Sequence, residues 1–136
     1  MTALSVTAAN VVPGSDARLD RNGYAGETIT AGQAVYKAAD GYWYKADDDS
    51  ATALARVATG IALNGASQYQ PIDVQTSGSL TIGATMTAGL AYYLGATPGA
   101  IVPVGDVTTP QYPQVIGIAT STTVLKLVFA ASGVAL

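Results

Sequence analysis

The chain has 136 residues, of which 49% are hydrophobic and only 11% charged, with a net charge of −3. That length suits one domain with a proper core. Six Lys plus Arg are too few for the basic stripe that grips nucleic acid or an anionic membrane, and the lack of His and Cys removes Ser-His-Asp and Cys-His nucleophiles, disulfides and most zinc and iron sites.

The opening MTALSVTAANVV has no basic n-region, so no signal peptide is expected, and no apolar run approaches a membrane span. Residues 1–23 carry two turn signals, Pro13-Gly14 and Asn22-Gly23. Val11 and Val12 suit one short strand, and the charges of Asp16, Arg18, Asp20 and Arg21 nearly cancel. The segment reads either as a frayed terminus or edge strand, or as an N-terminal arm that orders on a neighbouring subunit.

From residue 24 the chain repeats itself. Thr28 to Tyr36 and Thr85 to Tyr93 both read T-x-T-A-G-x-A-x-Y, an offset of 57 (85 minus 28). Gly60-Ile61-Ala62 and Gly117-Ile118-Ala119 match at the same offset (117 minus 60). Two matches at one offset predict two similar halves, 24–80 and 81–136, within a single domain 24–136. Each half reads as a T-x-T-A-G turn, a strand, a hairpin turn, a second strand, a variable connection, a strand through G-I-A, and a last strand. In the first half the strand spans 33–39, and Asp40-Gly41 suits a two-residue hairpin loop. The second half pairs 90–95 with 100–104 around Ala96-Thr97-Pro98-Gly99. The connections are 47–56 and 105–114, and the G-I-A strands open at Val57 and Val115. The last strands are 70–76 and 123–130, where Val124-Leu125-Lys126-Leu127-Val128-Phe129 is β-rich with one charge. The one helical candidate is 50–56, capped by Asp48, Asp49 or Ser50. The expected fold class is therefore all-β: a compact β-barrel or sandwich of two similar halves, with an N-terminal arm and at most one short helix.

No catalytic, cofactor or metal site is expected. No Walker loop is present. Asp47-Asp48-Asp49 has oxygen donors suited to calcium, but the spacing fits no calcium-loop pattern, and aspartates there read more simply as a helix cap. The stretch DGYWYKADDD poses a different question. Alternate strand residues face opposite ways, so a buried Tyr44 sends Trp43 outward. At the offset of 57, Tyr42, Trp43 and Tyr44 fall opposite Gly99, Ala100 and Ile101. Trp43 and Tyr42 thus serve something particular to the first half: packing under the N-terminal segment, or anchoring an interface. The partner-contact candidates are Val11, Val12, Arg18, Arg21, Tyr42 and Trp43.

The run Gly26 to Tyr36 (G-E-T-I-T-A-G-Q-A-V-Y), then D-G and a G-I-A strand, resembles the head decoration, or cement, proteins of tailed bacteriophages. The start A-L-S-V-T-A-A-N-V-V and the ending V-L-K-L-V-F-A-A-S-G-V-A-L have the same look. The resemblance implies a β-rich dimer or trimer on the outer surface of the virion capsid, made in the host cytoplasm. Its partner would be the major capsid protein, whose junctions it bridges to hold the expanded head against DNA pressure, often with help from an N-terminal segment. No contact residue carries over by motif. The competing expectation is a tail-fibre or receptor-binding module that recognises a glycan or host surface through Tyr42 and Trp43.

Overall fold

A computed structural model describes residues 3–103, 112–131 and 133–134. Among the described residues, ten strands form one antiparallel sheet curled into a half-barrel. They are β1 (Val12–Pro13), β2 (Arg18–Tyr24), β3 (Ala34–Lys37), β4 (Trp43–Lys45), β5 (Gly60–Ala62), β6 (Pro71–Thr81), β7 (Ala91–Leu94), β8 (Ile101–Pro103), β9 (Gln114–Ala119) and β10 (Val124–Ala131). The all-β expectation holds. The helical candidate 50–56 is only a 3₁₀ turn, Ala53–Arg56, and no side chain caps it. Arg56 explains this: its Nε and Nη2 donate to the carbonyls of Ser50 and Ala51, so the segment curls around a guanidinium.

The strand order is β4-β3-β5-β6-β10-β9-β7-β8, which reads the same way inward from either end. The registers carry the sequence offset. Ala34 opposes Ile61 and Val35 opposes Gly60; 57 positions on, Ala91 opposes Ile118 and Tyr92 opposes Gly117. The two ends of this path meet, because Gly99 N–H donates to the Ala46 carbonyl at 2.7 Å and the Gly99 carbonyl accepts from Ala34 N–H at 3.0 Å. β6 is the seam. Its flank is shared by β5 at Val74 and Gln75 and by β10 from Gly78 to Thr81. The connection expected at 105–114 falls largely outside the described residues.

The N-terminal segment is not an arm outside the fold. β1 and β2 pair with β6 along its length. Leu4 N–H donates to the Ile101 carbonyl at the edge of β8, and Thr7 N–H donates to Gly83. The reason is edge chemistry: β6 has two sides of unpaired N–H and C=O groups, and one needs a partner.

Two cores lie on opposite faces of the first half. The larger one gathers Ala34, Ile61, Leu80, Ile82, Tyr92, Leu94, Ile101, Ile116 and Leu125. The smaller holds Trp43 with Ala25, Ile29, Val35, Ala62, Ala66, Ile72 and Val74. Trp43 is 3% exposed, so it is no surface anchor. The turn before it explains the difference. Lys37 opposes Trp43, Ala38 N–H donates to the Tyr42 carbonyl, and Gly41 N–H donates to Ala38 at a positive φ of 87°. This is a three-residue loop ending in a left-handed glycine, not the two-residue hairpin expected. One extra residue reverses which face each following side chain takes. The structural equivalent of Trp43 is Ile101, at an offset of 58, since Lys37 opposes Trp43 as Leu94 opposes Ile101.

Candidate interaction surface

Directly opposed residues in an antiparallel pair share a face. That rule defines two sides of each half. In the first half Ala34, Ile61 and Gln75 form one cross-strand row, and all three are buried. The matching row in the second half is Ala91, Ile118 and Lys126, joined to Ser79. This row is not covered: Ile118 is 43% exposed and Lys126 is exposed. On β10 the same face carries Val128, 47% exposed. A neighbouring row links Val12, Thr81 and Val124, with Val12 53% exposed. Tyr93 and Val115, which oppose each other and are half-buried, extend the face toward β7 and β9, and Ala130 opposes Val115 on β10.

The asymmetry follows from how the halves stack. The first half turns this face inward onto the larger core and covers its other face with the smaller core and Trp43. The second half buries Tyr92, Leu94, Ile101, Ala119 and Leu125 on its opposite face, which leaves the Ile118 face bare. Lys126 is the one ionisable cation on these rows, and a face with one charge loses little by desolvation when it is covered.

A second exposed group is aromatic. Tyr42 and Tyr69 lie 5.2 Å apart between ring centroids, and Tyr69 is 61% exposed at a φ of 68°. Tyr24, also exposed, opposes Pro71 two residues past Tyr69. Nearby, Tyr36 and Tyr44 pair across β3 and β4 with centroids 6.0 Å apart. The Tyr44 hydroxyl donates to Asp40 at 2.6 Å. That bond holds the Asp40 carboxyl below its ordinary range and pushes the Tyr44 hydroxyl up to about 12.

A third group is acidic. Asp47, Asp48 and Asp49 bring carboxylate oxygens within 4.8 Å of one another. Asp48 is fully buried, and among the described residues neither of its oxygens has a hydrogen-bond partner. Burial, then the neighbouring carboxylates, push it up to about 7; burial first pushes Asp47 up to about 6. The aspartates do not cap a helix, as the sequence suggested: the 3₁₀ turn begins only at Ala53, after Thr52, and no side chain caps it.

The six residues singled out from sequence do not converge. Val12 sits on the bare face. Val11, one position before it, points into the larger core. Arg18 and Arg21 are exposed on β2, and Arg21 reaches Asp73 at 3.4 Å. Tyr42 belongs to the aromatic group, and Trp43 is interior. Sequence reasoning missed Ile118, Val128 and Tyr69. A signal for Val128 exists in Val124-Leu125-Lys126-Leu127-Val128, which is apolar on both faces although a single core covers only one. No family model, curated protein or solved structure matches the chain.

Proposed function

We propose that the chain is a structural virion protein that binds the outer surface of a tailed-phage capsid. There it stabilises the expanded head by bridging major capsid protein subunits, as a homo-oligomer. The observation that carries this reading is the bare face around Val12, Ile118 and Val128, at which Ile118 matches a residue, Ile61, that is core in the first half. Covering such a face contributes about 25 cal/mol per Å² of apolar surface removed from water. Repetition over a lattice then turns modest contacts into firm attachment. The acidic balance of the chain, net −3, suits a protein on the far side of the shell from packaged DNA. The sequence resemblance to decoration proteins supplies the identity of the partner.

The aromatic group favours a second reading, a tail-fibre module that stacks a glycan on Tyr42 and Tyr69. Counting copies per particle and locating them by labelled antibody separates the two. Hundreds of copies on the head support decoration. A few copies on the tail overturn it in favour of the fibre module.

A further inference from the structure

We infer that Asp47, Asp48 and Asp49 form a calcium site that rigidifies the segment after β4, where its backbone meets the second half. Three consecutive acidic residues alone say little; Asp48 is what marks the place. Its side chain is wholly buried, both its oxygens lack partners among the described residues, and one of them lies within 4.8 Å of carboxylate oxygens from each neighbour. An ionised carboxylate buried in that state costs several kcal/mol unless something positive meets it.

The protein's own nearby cation does not supply the charge. Arg56 spends its Nε and Nη2 on the carbonyls of Ser50 and Ala51. Its guanidinium carbon lies 4.0 Å from the ring centre of Tyr112. Among the described residues none of the three aspartates has an ion pair.

Three oxygens within 4.8 Å of one another can share one calcium, whose ligands at about 2.3–2.6 Å stand at most about 4.6–5.2 Å apart. Calcium tolerates an irregular ligand set, whereas magnesium, with oxygens at about 2.0–2.1 Å, demands stricter octahedral geometry and dehydrates reluctantly. Oxygen donors with no nitrogen or sulfur also disfavour zinc and copper. Asp49 is exposed, which leaves a path for entry and room for water to complete the shell.

The backbone under the site is held from three sides. Asp47 N–H donates to the Ala55 carbonyl at 2.8 Å, Asp48 N–H donates to Gly95 at 3.1 Å, and the Asp48 carbonyl accepts from Tyr112 N–H at 2.9 Å. A bound ion therefore stiffens a segment whose backbone is hydrogen-bonded to the ends of β7 and β9, where the two halves meet. Three carboxylates with an open side place the affinity in the weak extracellular class, Kd about 10⁻⁴–10⁻³ M.

The test uses the full chain, stripped with chelator and then titrated with calcium chloride alone or magnesium chloride alone. Isothermal titration and thermal melts are read on wild type, Asp48→Asn and Asp49→Asn. Both variants keep side-chain volume, and Asp49 is exposed, so its variant folds even if Asp48→Asn does not. Calcium at about 10 mM is expected to raise the wild-type Tm by roughly 5–10 °C, with a smaller magnesium effect. Asp49→Asn should weaken calcium binding at least about tenfold, and Asp48→Asn should abolish it. A wild-type protein that gives neither heat nor Tm shift overturns the inference. So does a calcium shift that survives unchanged in Asp49→Asn.

Discussion

Trp43 is buried beneath a residue of the N-terminal segment, and a double-substitution cycle with Gly23 measures that contact. A Cβ built on Gly23 stands 2.4 Å from Nε1 and 2.7 Å from Cδ1 of Trp43. The indole cannot simply swing aside: Lys37 Nζ lies over it at 5.9 Å, and Ile29, Val35 and Ile72 are among the residues that enclose the rest. Forcing a methyl group into such a space costs about 1–3 kcal/mol. The entropy gained by replacing a strand glycine returns roughly 0.5–1 kcal/mol. Gly23→Ala alone therefore destabilises by about 1–2 kcal/mol. Trp43→Ala alone costs about 3–5 kcal/mol, a Tm drop of roughly 10–20 °C. In the double variant the new methyl occupies part of the vacated space, so Gly23→Ala becomes neutral or mildly favourable. The coupling is then about 2 kcal/mol. Equilibrium urea unfolding followed by circular dichroism gives all four stabilities. Fluorescence of the single tryptophan reports on the wild type and on Gly23→Ala, which retain it. Additivity within about 0.5 kcal/mol refutes the packing described here, as does a Trp43→Ala protein as stable as wild type.

Three further outcomes are expected. Deleting residues 1–20 removes β1 and the first part of β2, leaving β6 with one bare edge. The truncated chain should lose its cooperative melt, and a sharp melt near the wild-type Tm would restore the idea of a detachable arm. In chelator, stability should fall as pH rises from about 4 to 7. Asp47 and Asp48 hold their protons more tightly folded (to about 6 and about 7) than unfolded, where the ordinary value is 3.8. The folded state therefore binds more protons across that window, and stability declines with pH until it levels above about 7. Asp48→Asn should flatten most of this slope, by on the order of 2–4 kcal/mol; an unchanged slope in melts run from pH 4 to 8 would count against a buried, unpartnered Asp48. On the bare face, Ile118→Lys or Val128→Lys should weaken binding to phage heads at least tenfold (about 1.4 kcal/mol or more) while moving the Tm by no more than about 2–3 °C. A large Tm loss would mean that the face belongs to the monomer's own core.

The repeat was readable because turns and G-I-A strands leave a sequence imprint that survives in the register, Ala34 with Ile61 and Ala91 with Ile118. Trp43 was misread because one residue in the turn after β3 decides the face of everything in β4. Sequence offers Asp40-Gly41 for a loop of two residues or of three. The stacking of the halves was hidden for a different reason. Local alternation shows that a strand has two faces, not which one the other half covers. The N-terminal segment looked detachable because it lies outside the repeat, yet the seam strand β6, at Pro71–Thr81, is longer than the 70–76 expected and needs an edge partner throughout. Asp48 is held by backbone bonds to Gly95 and Tyr112, far along the chain, so three acidic letters gave no sign of its burial.

The measurement that bears most directly on the proposed role is co-sedimentation of the purified protein with phage heads stripped of it, in the immature and the expanded state. Saturable binding to expanded heads alone, lost in Ile118→Lys, is the predicted result. Absence of binding to either head, or equal binding by the Ile118→Lys variant, would contradict a decoration role exercised through this face.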